Sequence, residues 1–262
     1  MNTVTAIQKY STAPPTIFIA LHVFNTVIAP LATRSVPASE SYLLLTRPVY
    51  QSPYLEHAVL TVPIVSHVLS GLALRSIRAV RRARFYGAEP GYRRYLYNLW
   101  PAVSRQAQLG YLLAPLLGTH VLVNRVAPVI VDGGSSGVGL GYVAHGIARR
   151  PLFWNLFYPV FVAAGVWHFV GGCAAWMGWR VTTARRERGT SRKGSVRYPN
   201  GDLRIRRQRR RWWVVNGLAA LGASLWLAGG LGITGRAGLG AGWEAKSWNE
   251  IYRQVPILGV WL

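Results

Sequence analysis

The chain reads as all-α, an integral membrane bundle of five transmembrane helices with a cytosolic N-terminus, and three observations predict it. Of its 262 residues 51% are hydrophobic, 11 are Trp and mean hydropathy is positive, an odd composition for a soluble domain of this size. Five stretches, roughly 14–33, 56–77, 107–128, 152–178 and 212–234, are apolar over the about 20 helical residues that cross a hydrocarbon core of about 30 Å. Five spans also place 22 of the 30 Lys and Arg on the side of the N-terminus and eight opposite. Basic loops stay in the cytosol, so the N-terminus is expected there. Adding or removing one span would scatter the basic residues over both sides.

Residues 1–13 are expected as a short cytosolic arm. The first span opens with Pro14 and Pro15, which suit the first turn of a helix. It does not read as a cleaved signal, because the basic stretch before it is thin and no small-residue cleavage site follows. Residues 14–178 form a four-helix transmembrane core, followed by a basic cytosolic loop over 179–211, the fifth helix over 212–234 and an interfacial tail over 235–262. In that tail Trp243, Trp248, Ile251 and Tyr252 alternate with Glu244, Lys246, Glu250 and Arg253, the pattern of a short helix lying in the membrane interface. The run Arg204 to Arg211 abuts Trp212 and Trp213 at the start of a span. It therefore reads as an anchor to a leaflet rich in anionic lipid rather than as a nucleic-acid patch, and no nucleic-acid partner is expected.

Other signals carry little chemistry. The single Cys173 excludes an intramolecular disulfide and any thiolate metal cluster. The glycine-rich stretch from Gly133 to Gly141 follows a helical span instead of a strand, so it reads as a flexible loop and not as a dinucleotide fingerprint. All eight acidic residues lie at span ends or beyond, which leaves no buried carboxylate as a proton donor, and no enzymatic turnover is expected.

Each of the first four spans carries one histidine away from its ends: His22, His67, His120 and His168. A lone histidine in a span is commonly a helix-to-helix hydrogen-bonding residue. Four in four successive spans point instead to a shared purpose, such as holding a metal or cofactor inside the bundle. Small or polar residues follow each one a turn later on the same face, among them Asn25, Gly71, Asn124 and Gly171, and a missing side chain there would let a flat macrocycle lie against the backbone. Counting from the nearest basic residue on the N-terminal side puts His67 and His168 nearer that side, and His22 and His120 deeper. The expectation is two stacked bis-histidine sites for haem b, with haem iron held by His67 and His168 and by His22 and His120. Arg75 and Arg125 stand within reach of haem propionates at the two boundaries, although end-of-span snorkelling explains them equally. His57 and His145 lie at or outside the membrane edge and are not expected as ligands.

The five-span layout with a histidine in each of the first four resembles the membrane anchor of the diheme type of succinate dehydrogenase and fumarate reductase. In that family the first and third histidine-bearing helices share one haem, and the second and fourth share the other. The segments AIQKYS, LHVFNTVIAPL, SESYLLLTRPVYQS, SHVLSGLALR, LGYLLAPLLGTHVLVNR, GLGYVAHG and GVWHFVGG are together similar to the fungal mitochondrial outer-membrane adapter family of the Mdm-ten complementing type, over roughly residues 6 to 180. That resemblance implies a multi-pass protein of the mitochondrial outer membrane, acting in lipid homeostasis at membrane contact sites and recruiting a bridge-like vacuolar-protein-sorting lipid-transfer protein. Recruitment in the family depends on a Pro-x-Pro motif in the cytosolic arm. Here Pro14 and Pro15 are adjacent and the arm holds no such motif, so either another contact serves the lipid-transfer partner or it is not recruited. Two functions follow: an adapter whose histidines are buried polar residues, or a haem b cytochrome that moves electrons.

Overall fold

In lipid a helix is the economical state of a single segment, because it satisfies every backbone N–H and C=O without water. A computed structural model of the chain describes residues 2–86, 104–179 and 201–260, and among these every regular element is helical. Five helices are long and apolar enough to cross a membrane: Thr3–Thr33, Pro53–Arg81, Arg105–Asp132, Pro151–Trp176 and Arg206–Arg236. The remaining parts of the expected basic loops, 87–103 and 180–200, lie outside the described residues.

In chain order, α1 (Asn2–Tyr10) leads by a turn at Ser11 and Thr12 into α2, which runs Ala13–Val23, continues in π form over Phe24–Ile28 and ends with Ala29–Thr33. After α3 (Val36–Gln51) comes α4, built from Pro53–Glu56, the π stretch His57–Thr61 and Val62–Tyr86. The next span is α5, with Arg105–Val121, the π stretch Leu122–Val126 and Ala127–Asp132. Then follow α6 (Leu140–Arg149), α7 (Pro151–Trp176), α8 (Gly201–Leu227, extended in π form over Ala228–Ile233 and by a 3-10 turn at Thr234–Arg236) and α9 (Gly242–Arg253).

Three of the four π stretches have one cause. Pro30, Pro63 and Pro128 each stand two residues beyond a π stretch. A proline has no N–H to give, and its ring collides with the carbonyl four residues back, which here falls at Thr26, Val59 and Asn124, inside the widened turn. The fourth stretch contains Gly229, Gly230 and Gly232, whose backbones lack the steric restraint of a side chain.

The spans assemble as two layers. On one side α2 packs against α4, and α1 lies along α4; on the other α5 packs against α7, and α7 against α8. The α7–α8 seam is tight because Ala219 and Ala223 are small and buried against Val162 and Val166. Trp167 Nε1 donates to Asn216 Oδ1 across it at 3.1 Å. The last part of α8 crosses α2, where Gly229 meets Thr26 and Val27 backbone to backbone. By contrast α2 with α5 and α4 with α7 make no more than point contact along their backbones. The layers therefore leave a slot between them.

Within the expected short arm over 1–13, residues 2–10 form α1, which is seated on α4. Lys9 and Tyr10 also meet Trp176 at the end of α7, with Lys9 Nζ 5.2 Å from its ring centre. On the far side, the stretch expected as a flexible glycine loop is short and pinned. Helix α6 already begins at Leu140, with the Glu40 carboxylate accepting its first N–H at 3.0 Å. Burial pushes the Glu40 carboxyl up, and these backbone donors oppose that. Arg47 meanwhile donates to the carbonyls of Ser135, Ser136 and Val138. In helix α9, Trp248, Ile251 and Tyr252 are buried in a cluster with Tyr142, Ile147 and Trp154.

Candidate functional site

The slot is bridged at two places by histidine pairs. His22 on α2 faces His120 on α5 with ring centres 6.1 Å apart and planes at 73°. His67 on α4 faces His168 on α7 with ring centres 6.2 Å apart and planes at 84°. These are diagonal helices that otherwise hardly touch, so the rings themselves span the gap. All four residues remain partly accessible although they lie inside the bundle.

The two pairs sit in different surroundings. His67 Nδ1 lies 3.2 Å from the Gln8 carbonyl oxygen and His168 Nδ1 lies 3.1 Å from that of Gln106. A carbonyl only accepts, so these contacts are hydrogen bonds when Nδ1 carries the proton and Nε2 keeps its lone pair; the Gln8 and Gln106 amide nitrogens lie 3.2 Å and 3.3 Å from the same Nδ1 atoms. The Gln8 amide nitrogen is 3.1 Å from His67 Nε2, and its oxygen accepts from Ser70 at 2.8 Å. Gly110 on α5 gives the His168 ring its place: a Cβ there would stand 3.0 Å from the ring's Cε1. At the other pair the walls are aromatic. Phe18 stacks on His22 at 5.1 Å and Trp226 approaches it at 5.9 Å, while Phe161 stacks on His120 at 5.0 Å. His120 Nδ1 has the Asn124 amide nitrogen at 3.3 Å, and Asn124 Oδ1 is buried with no partner.

The other expected residues are placed as follows. Gly71 faces the Gln8 side chain, which a Cβ would approach to 3.1 Å, and Gly171 is buried within α7. Arg75 lies over the Tyr111 ring at 5.5 Å and so ties α4 to α5 near the N-terminal side. Arg125 is engaged on the far side: its Nε donates to Glu56 Oε1 at 2.8 Å, and its remaining nitrogens reach Glu56 Oε2 and Ser135 Oγ. His57 is exposed, bonded only to Thr61 among the described residues, whereas His145 is buried between Gly240 N and Asn249 Oδ1. Gln8, Gln106, Gly110 and Trp226 were not singled out by sequence reasoning. The one local sign was Gln106 and Gly110, one turn apart on a helix facing that of His168.

The Glu56–Arg125 pair is bidentate and partly covered, with side chains 19% and 28% exposed. Removing one member leaves the other charge short of water. Arg125→Gln alone is expected to destabilise the protein by roughly 1–3 kcal/mol, between the values of exposed and buried pairs. The double variant with Glu56→Gln is expected to cost less than the two single losses added, as thermal unfolding of the four proteins in detergent would show.

Comparison with known proteins gives two matches. Residues 115–239, which include His120 and His168, match the family model described as MDM10-complementing protein 1, transmembrane domain. Mitochondrial adapter protein MCP1 of Saccharomyces cerevisiae is 23% identical over 209 residues, covering 70% of this chain and 67% of its own length. No solved structure matches the chain.

Proposed function

We propose that this chain, which over residues 115–239 matches the transmembrane domain of the MDM10-complementing protein family, is a mitochondrial membrane adapter. In finer terms it is a multi-pass protein of the outer membrane, N-terminus cytosolic, that acts in mitochondrial lipid homeostasis at organelle contacts. Its partner there is a bridge-like lipid-transfer protein of the vacuolar-protein-sorting type. The observation that carries the reading is the similarity to a mitochondrial adapter across 70% of the chain, together with five helices able to cross a membrane. An adapter works by holding partners, so this reading requires no turnover. The test is expression in Saccharomyces cerevisiae cells lacking MCP1, followed by measurement of mitochondrial phospholipid composition. Restoration towards the parental composition is expected; cells indistinguishable from those with an empty vector would overturn the lipid role.

The basic side supplies the membrane anchor in this reading. Arg206 to Arg211 extend α8 beyond its apolar part, and Arg211 lies over the Trp179 ring at 5.2 Å beside Arg207 and Arg210. Such a cluster is attracted to anionic headgroups and holds its side in the cytosol. Replacing Arg206, Arg207, Arg209, Arg210 and Arg211 by Gln is expected to give mixed orientation, read by protease protection of an N-terminal tag on intact mitochondria. A single unchanged orientation would remove this role from the run.

A further inference from the structure

We propose that the slot between the two helix layers is an iron-porphyrin site, in which His67 with His168 and His22 with His120 each supply the two axial imidazoles of one haem b. The inference stands apart from the adapter role and rests on the geometry of the pairs.

The donor set argues for a macrocycle. A bare zinc or similar ion takes three or four protein ligands. Among the described residues no three His, Cys, Asp or Glu side chains gather as a metal set. Two opposed imidazoles and nothing else suit a metal whose other four ligands come from a flat ring. The spacing agrees: imidazoles on opposite faces of one iron, each nitrogen about 2 Å from it, hold their ring centres about 6 Å apart. The two pairs show 6.1 Å and 6.2 Å.

The protein also orients the rings as ligands. A metal-binding histidine commonly gives its other N–H to a backbone carbonyl, which sets the tautomer and turns the lone pair inward. Gln8 and Gln106 carbonyls do this for His67 and His168. The Gln8 amide nitrogen stands 3.1 Å from His67 Nε2 and 3.2 Å from Nδ1, so its side chain must swing away for Nε2 to bind iron. At the His22–His120 pair the sign is Asn124 Oδ1, one turn from His120, which is buried with no hydrogen-bond partner among the described residues. Phe18 and Phe161 stack on the two imidazoles and so fix the planes in which the rings meet. A haem so held supplies one-electron chemistry.

The test is haem content of the full chain, expressed with ample haem, purified in detergent and monodisperse, read by its reduced-minus-oxidised spectrum. Two b-type haems per chain are expected. His67→Leu and His168→Leu should each lose the same one, and His22→Leu and His120→Leu the other. Because a leucine variant that unfolds would lose haem for a trivial reason, His168→Met serves as the second variant: a methionine still ligates, so haem should stay with a shifted spectrum and a raised potential. Gly110→Val, which pushes on the His168 ring, should lose only the haem of that pair. A folded wild-type chain without b-type bands overturns the proposal. So does a set of folded variants whose losses ignore the pairing.

Discussion

Gly229→Ala is expected to weaken the bundle by about 3 kcal/mol, towards the upper end of overpacking effects, because the new methyl has nowhere to go. Its Cβ would stand 2.8 Å from both the Thr26 carbonyl oxygen and the Val27 Cα. Both are backbone atoms of α2, so no side chain can step aside and the helices must separate. In lipid no hydrophobic force drives the helices back together, and close backbone approach through small residues is what holds such a crossing. The neighbouring Gly230 makes the control, since a Cβ there meets nothing within 4 Å. Gly230→Ala should leave stability unchanged or raise it by about 0.5–1 kcal/mol through helix propensity. Apparent Tm of the purified variants in detergent decides: if the two alanines behave alike, the α2–α8 crossing is not made at Gly229.

Tyr252→Ala is expected to release α9 from the far side, with a local loss of about 3–5 kcal/mol for a buried aromatic. The Tyr252 ring stacks on Tyr142 at 4.6 Å with planes 7° apart, and its hydroxyl donates to the Tyr142 carbonyl at 3.2 Å. Burial pushes the phenol up, so it remains a donor. Gly146 leaves the space for that hydroxyl: a Cβ there would lie 2.0 Å from Tyr252 Oη. Hydrogen exchange should show faster exchange in Gly242–Arg253 while the spans stay protected, because among the described residues α9 packs chiefly on α6 and on the last turns of α5. Tyr252→Phe keeps the stack and should lose only about 1 kcal/mol. Uniform loosening of the spans in Tyr252→Ala would show that α9 instead holds the whole bundle.

These two sites differ in how visible they were. Trp248, Ile251 and Tyr252 stand out in the sequence as an apolar face at helical spacing, but that face suits a membrane interface as well as a protein one. Only Tyr142, Trp154 and Gly146, more than 90 residues earlier, decide between them. Gly229 is one of 28 glycines, and nothing local separates it from Gly230. Gln8 was read as part of an arm because it precedes the apolar stretch; its hydrogen bonds with His67 and Ser70 are made 59 and 62 residues away.

Hydropathy and charge by themselves determined the five spans, since the bilayer's thickness and its intolerance of unsatisfied backbone impose length and helicity on each segment separately. Residue counting also placed the four histidines at two depths, because rise per residue is constant along a helix. Tertiary structure alone decided which helices touch: that α2 and α4 form one layer and α5, α7 and α8 the other, with the histidine rings reaching across the slot between them. It also decided that Glu56 meets Arg125 and that Glu40 caps α6. The physical reason is that span formation is local, satisfied within one stretch of chain, whereas packing between spans depends on where small side chains let two distant backbones approach, and that complementarity belongs to pairs of surfaces rather than to either sequence.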